Sequence, residues 1–340
     1  MILVQNYGLA LGFFVLSMIC WGSWANTQKL AEKTWRFELF YWDLAIGLLL
    51  FAAFAAFTAG SYGNAGRPFL EDLKQADAGS ILFACLGGAV WNLGNILLVA
   101  AIAVAGMSVG FPIGGGIAWI LGIAVNYILV ILDKGQPQNN PWLLWGGVLV
   151  IVAAIVLSMA SYRRLASETK KPTLKGILLS VFAGLLIAFF YGLVVKSIDN
   201  RFLAGGTGTL TPYSGVFFFS VGVFFSTFLF NPFFMRYPVQ GEPVRIREYW
   251  KGSFRTHFTG VLGGFIWMLG MTVSFMAAGA ANPDISYALS NAAPVVAILW
   301  GVFVWKEFKG APKGTNKLLA IMFVFYLIGL LLITYSNVLK

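Results

Sequence analysis

Ten stretches of mainly apolar residues follow one another along the chain, at 8–28, 39–59, 80–104, 108–132, 142–160, 176–195, 212–234, 258–280, 285–305 and 317–337. Each approaches the roughly 20 residues that a helix needs to cross the hydrocarbon layer. Polar positions are confined to short connections, none long enough for a separate soluble domain. The apolar start at Leu9 lacks the basic flank and small-residue cleavage site of a signal peptide, so it reads as the first span. The pattern predicts an all-α integral membrane protein with ten transmembrane helices.

One phrase occurs twice in this pattern. Gly87-Gly88-Ala89-Val90-Trp91-Asn92-Leu93-Gly94-Asn95 in the third span returns as Gly263-Gly264-Phe265-Ile266-Trp267-Met268-Leu269-Gly270-Met271 in the eighth, with Gly-Gly, Trp, Leu and Gly at the same spacing. Trp21-Gly22 in the first span similarly matches Tyr191-Gly192 in the sixth. The charged, proline-closed stretch from Ser161 to Thr173 divides the two sets. The expected organisation is a first five-helix repeat at 1–162, a cytoplasmic linker at 163–175 and a second repeat at 176–340, together one membrane domain. An odd number of spans per repeat inverts the second relative to the first, an architecture of secondary transporters with their site near the midplane. The fourth span opens on Gly106-Met107-Ser108-Val109-Gly110-Phe111-Pro112-Ile113-Gly114-Gly115-Gly116, and the ninth carries Asn282-Pro283 and Asn291-Ala292-Ala293-Pro294. Helices broken by Gly or Pro at matching places are the expectation, since such breaks mark transport sites; close helix packing through small residues is the alternative.

Composition agrees with the pattern. Hydrophobic residues make up 59% and charged residues 11% of the chain, against roughly a quarter charged in soluble domains. The net charge of +10 reflects topology rather than nucleic-acid binding. Basic residues crowd the connections after spans 1, 5, 7 and 9, including Lys29, Lys33, Arg36, Arg163, Arg164, Lys170, Lys171, Arg245, Arg247, Lys306 and Lys309, while few lie on the other side, where Arg67, Lys134 and Arg201 are found. The positive-inside rule puts the rich connections in the cytoplasm and both termini outside, in a cytoplasmic (inner) membrane. Cys20 and Cys85 lie within apolar spans and read as small core residues without a disulfide framework.

Leu93-Gly94-Asn95, Ala103, Gly106-Met107-Ser108-Val109, Gly122 and Asn126-Tyr127-Ile128-Leu129 resemble the first half of plant ureide permeases and their bacterial relatives. Gly263-Gly264-Phe265, Gly270, Phe275-Met276-Ala277-Ala278-Gly279, Ala288-Leu289, Pro294-Val295-Val296, Trp300-Gly301 and Glu307 resemble the second half. These proteins belong to the drug/metabolite transporter superfamily, and the Gly-Asn and Gly-Met-Ser elements also resemble its rhamnose and glucose/ribose uptake branch. The resemblance implies a central cavity lined mainly by spans 1–4 and 6–9, and an aspartate at the place of Asp43. Met271 departs from the pattern, where ureide permeases tend to carry an asparagine.

Of the 13 acidic residues, Asp43 is the one placed within an apolar span. A carboxylate there costs several kcal/mol and is a functional candidate by default, so Asp43 is the expected proton-coupling residue; an interfacial acid reaching Lys33 or Arg36 is the bland alternative. Asn92 and Asn95 share one face of the third span beside Trp91, and Tyr287, Ser290 and Asn291 offer polar groups on the ninth. With Trp21, Tyr191 and Trp267 as flat stacking partners, these are the expected substrate-binding residues. Interhelical hydrogen bonds for the amides and ordinary packing for the aromatics are the alternatives. Trp35, Trp142 and Trp305 suit the interfacial belt, and His257, the lone histidine, reads as a loop residue ahead of a proton relay.

No zinc spacing, phosphate loop or catalytic triad is present, so neither an enzyme nor a cofactor or metal is expected. The sequence reading is a secondary active transporter taking up a small neutral polar solute with protons, sodium being the other ion open to it. A monosaccharide is the first choice, a ureide or nucleobase such as allantoin the runner-up, and a drug or amino-acid exporter of the same fold the third. Membrane lipid is the expected surroundings and nucleic acid is not a partner; a homodimer is compatible with the reading.

Overall fold

The computed structural model describes residues 1–31, 35–105, 107–165, 173–199, 208–239 and 241–339, with backbone alone at 103–105 and 107–112. Lys33, Gly106, Lys170, Lys171, Pro172 and Arg201, and most of the connection expected at 163–175, lie outside the described residues, as do the side chains of the Met107–Pro112 stretch.

Helices account for nearly all regular structure: α1 (Tyr7–Ser23), α2 (Phe37–Phe57), α3 (Phe69–Gln75), α4 (Ala78–Ala105), α5 (Met107–Lys134), α6 (Pro141–Leu165), α7 (Leu174–Ser197), α8 (Pro212–Arg236), α9 (Phe254–Ala278), α10 (Pro283–Ser290), α11 (Pro294–Leu299) and α12 (Thr315–Ser336). Tight 3-10 turns at Trp24–Leu30 and Ile246–Lys251 complete them. Among the described residues ten spans are long and apolar enough to cross a membrane, the first combining α1 with its 3-10 extension and the ninth joining α10, α11 and a π turn at Trp300–Val304. The chain is thus an all-helical multi-pass membrane protein.

Local chemistry sets the ends. The Asn6 side chain accepts the backbone N–H of Leu9 at 3.0 Å, and Ser253 and Thr211 cap α9 and α8 in the same way, each satisfying a donor that the first turn leaves orphaned. Asp77 does so for α4 through Ser80, and this hydrogen bond holds its carboxyl below the usual aspartate range.

The chain packs as two compact units, Met1–Leu93 with Phe189–Ala281, and Gly94–Ala188 with Asn282–Lys340. Each draws on both halves of the sequence. In the first unit the duplicated Gly-Gly pairs make reciprocal crossings. Gly88 on α4 lies against the Phe219 carbonyl and Val223 amide of α8, and Gly222 of α8 lies against the backbone of Cys85. Gly264 on α9 lies against the Leu44 carbonyl and Leu48 amide of α2, and Gly47 of α2 against the Val261 backbone. So the first copy of the repeated phrase grips a helix from the second half, and the second copy grips one from the first. Packing, the alternative for these glycines, describes their geometry: with no Cβ, two backbones approach closely enough for strong dispersion contact, the main attraction left between helices in lipid.

In the second unit α6 and α12 cross the same way, Gly147 and Gly329 each presented to the other's carbonyl. α10 packs on α5, where Tyr287 donates to the Ala118 carbonyl at 2.8 Å and the Trp119 indole N–H donates to the Ala288 carbonyl at 3.0 Å.

Of the breaks expected at matching places, the described residues show the one in the ninth span; Gly106, where the expected break of the fourth span opens, lies outside them. In the ninth span α10 ends at Ser290 and α11 starts at Pro294. The backbone of α5 stays helical from Met107 through Gly110, Pro112 and the three glycines at 114–116. Pro112 lies in its second turn, so the rung back to the Ser108 carbonyl is missing, yet the backbone continues as helix on both sides of it.

Candidate functional site

Asp43 sits mid-way along the first half of α2 with its side chain 3% exposed. Its partners are not Arg36, which pairs with Glu38 and reaches the Glu242 carbonyl. The Tyr249 hydroxyl donates to Asp43 Oδ1 at 2.5 Å, and His257 Nδ1 lies 3.0 and 2.9 Å from Oδ1 and Oδ2. His257 is therefore not a loop residue. It occupies the first turn of α9, which Ser253 caps, and Gly260 three residues on lies on the same face. A Cβ at Gly260 would collide with the Asp43 Cβ, so the bare backbone there is what lets α2 bring its carboxylate under the imidazole.

Aromatic rings surround the pair. Trp35 meets the His257 ring edge-on at 5.3 Å between centroids and Tyr249 does so at 4.6 Å. Burial first, and then the bond to Asp43, push the Tyr249 phenol well above its ordinary value, which keeps it a neutral donor. The imidazole is 25% exposed while the carboxylate is 3% exposed, so the ring lies between Asp43 and the surface. The chain offers one clue to this arrangement: the sole histidine three residues before a glycine in a helix. Tyr249 offers none, lying in a short turn of no distinctive pattern.

Of the expected aromatic residues, Trp21, Trp91, Tyr191 and Trp267 belong to the first unit and Tyr287 to the second. Trp21, Trp91 and Trp267 meet in the first: Trp267 stacks on Trp21 at 5.6 Å and on Phe219 at 5.5 Å, and its ring centroid is 4.2 Å from that of Trp91. The two tryptophans of the repeated phrase thus touch each other, and the Trp21 indole donates to the Trp267 carbonyl at 3.0 Å. Tyr191, fully buried, lies 3.4 Å from the Ser274 hydroxyl and packs on Phe275.

Asn92 is fully buried in the same unit. Its amide N–H groups reach the Val223 carbonyl, Ser226 and Thr227 at 3.2, 2.8 and 3.1 Å, and its oxygen accepts from Tyr41 at 2.7 Å. The interhelical alternative describes this geometry: one amide ties α4 to α8 and α2. Asn92→Ala is expected to lower stability by about 1–2 kcal/mol, the upper range for interhelical hydrogen bonds in membranes, while leaving the apparent affinity for solute within about twofold, less than the factor of ten that 1.4 kcal/mol represents. Thermal inactivation measured beside counterflow affinity checks both parts.

The second unit holds Asn95, Tyr287, Ser290 and Asn291. Asn95 is 6% exposed and Ser290 fully buried. Tyr287 is held against α5 as described, and Asn291 folds back on its own helix, its amide donating to the Tyr287 carbonyl at 3.2 Å. A second carboxylate also proves buried. Asp284 opens α10 with no exposed surface and accepts from Asn139 at 2.5 Å, so Asp43 is not alone in being enclosed within a span. Cys20 is buried, Cys85 half-buried, and both are free.

The profile of the family described as Ureide permease matches residues 40–172 and 159–336. Among curated relatives, Ureide permease 2 of Arabidopsis thaliana is 27% identical across 96% of this chain and 96% of its own length. Ureide permease 1 of the same plant is 23% identical across 99% of each chain, and "Probable ureide permease A3" of Vigna unguiculata is 24% identical across 92% of this chain and 99% of its own. A solved crystal structure superposes with a TM-score of 0.57 over 97% of this chain and 98% of that one; at 16% identity it speaks for the fold alone.

Proposed function

The chain belongs to the ureide permease family, and on that premise we propose that it is a secondary transporter for a small, neutral, polar solute of the ureide or nucleobase class. The observation that carries this reading is end-to-end similarity to ureide permeases, which covers 96% or more of both chains for two of them. It favours the runner-up over a monosaccharide, for which none of these relatives speaks. We further infer the inverted arrangement of two five-span repeats in the manner of the drug/metabolite superfamily, with both termini on the non-cytoplasmic side of the inner membrane. The reciprocal Gly-Gly crossings support it, since each copy of the repeated phrase meets the other half of the chain in the same way.

Coupling is assigned to protons and to Asp43. A carboxylate enclosed in a span, touched by one imidazole and one phenol, can exchange a proton with the imidazole, and His257 is exposed enough to pass it on. Tyr249, neutral throughout, keeps the carboxylate oriented toward the ring. Counterflow in proteoliposomes with labelled allantoin, a nucleobase, a monosaccharide and an amino acid, each with and without an imposed pH gradient, tests solute and ion together. Allantoin or the nucleobase is expected to exchange and to accumulate only with the gradient; exchange of the monosaccharide alone would overturn the assignment.

A further inference from the structure

A groove of about 690 Å³ opens beside the Asp43 pair, within the first unit, and the transport reading makes no use of it. Its floor is Trp42 and Ile46 of α2 with Phe228, Pro232 and Met235 of α8, and its wall is the segment Pro243 to Trp250. The volume falls in the usual range of small-molecule sites, about 300–1,000 Å³. Trp42 is fixed in it by a T-shaped contact with Phe228 and by its indole N–H on the Met235 sulfur at 3.4 Å. The wall is tied back by the Val244 amide on the Met235 carbonyl at 2.9 Å and by Tyr249 on Asp43.

The rim is basic. Arg236 and Arg245 line it, both exposed, and among the described residues neither has an ion-pair partner. Of the nearby acids, Glu248 pairs with Lys251 at 2.8 Å, and the exposed Glu242 makes no ion pair with either arginine among the described residues, its backbone carbonyl accepting from Arg36. An apolar floor bordered by two exposed guanidiniums, one of them (Arg236) over the Tyr237 ring at 5.4 Å and neither in an ion pair among the described residues, lies at the mouth of a transmembrane helix and complements a molecule with an apolar tail and an anionic head. The charge bias of the sequence puts this end in the cytoplasmic leaflet, where anionic lipids concentrate. We propose that the groove binds an anionic phospholipid, its phosphate held by Arg236 and Arg245 and an acyl chain lying along Trp42, Ile46 and Phe228. Guanidinium is suited to this because its planar fork meets phosphate oxygens with two parallel donors.

Native mass spectrometry of the full chain with added phosphatidylglycerol or phosphatidylcholine tests the proposal. Wild type is expected to retain phosphatidylglycerol at least about tenfold better, and Arg236→Gln/Arg245→Gln to lose that preference, as two surface arginines would require. Arg163→Gln/Arg164→Gln, which removes an exposed basic pair at the end of α6, is expected to keep it. Phosphatidylglycerol carrying a diazirine on its acyl chain should label peptides containing Trp42 or Phe228. Equal retention of the two lipids, a preference that survives in Arg236→Gln/Arg245→Gln, equal loss in the α6 pair, or labelling elsewhere would each overturn it.

Discussion

Asp43→Asn is expected to cut pH-gradient-driven accumulation by at least about tenfold, the effect of a barrier change near 1.4 kcal/mol, while exchange of solute across the membrane stays within about threefold of wild type. The asymmetry follows from what asparagine keeps. Its carbonyl oxygen can still accept from Tyr249 and its shape still fits against Gly260, so the crossing of α2 on α9 survives. What it cannot do is bind and release a proton. Removing an enclosed carboxylate also removes a group that costs about 2.5–3.5 kcal/mol at the centre of a span by insertion scales, so loss of fold is not the expected cause of lost accumulation. The measurement is paired uptake and counterflow in the same vesicles. Uphill accumulation intact in the variant would remove Asp43 from the coupling step; equal loss of both activities would make its role structural. His257→Gln, in the same assay, is expected to slow accumulation without abolishing it, since in the proposed coupling the proton is bound by Asp43 and the ring is its relay.

The second large effect concerns the Gly-Gly crossings. Gly88→Leu and Gly264→Leu are each expected to destabilise the protein by about 3 kcal/mol or more, at or beyond the top of the usual range for overpacking. At both positions the new side chain meets backbone of the facing helix, which has no rotamer to move into. A fall of roughly 5–10 °C in the midpoint of thermal inactivation is the scale expected for a chain of this size. Gly12→Ala and Gly146→Ala serve as contrast. Nothing lies within 4 Å of a Cβ at either, so alanine should be neutral or raise stability by up to about 1 kcal/mol through helix propensity. If Gly264→Leu left the midpoint unchanged, the close approach of α2 and α9 would be wrong, and with it the seat of Asp43.

The ten spans were legible because each is a run of apolar side chains long enough to leave no other fold, and composition carries that signal without any partner. The repeated phrase was legible too, but its meaning was not. Gly-Gly, Trp and Asn read equally well as cavity lining or as close packing, and only the facing backbone decides; for Gly88, Gly264 and Asn92 it is protein that fills the space. Asp43 stood out as a charge where none is cheap. Its partners did not, since Tyr249 and His257 lie more than 200 positions away and the turn that carries Tyr249 is too short to show a period. The same limit hid α3, seven residues long. The fourth and ninth spans look alike in their Gly and Pro content, yet among the described residues the helix runs on through Pro112 and is interrupted ahead of Pro294, a difference that Gly and Pro content alone does not encode.

That interrupted ninth span has a mechanical corollary. Pro294 has no N–H, so the rung that a continuous helix would run from that position back to the Ser290 carbonyl cannot form. Shorter bonds, from Ala292 to Leu289 and from Val295 to Ala292, bridge the gap instead. A rung that would resist bending is thus absent from the outset. α10 and α11 can change their mutual angle without surrendering it, which gives this segment a low-cost hinge inside an otherwise helical crossing.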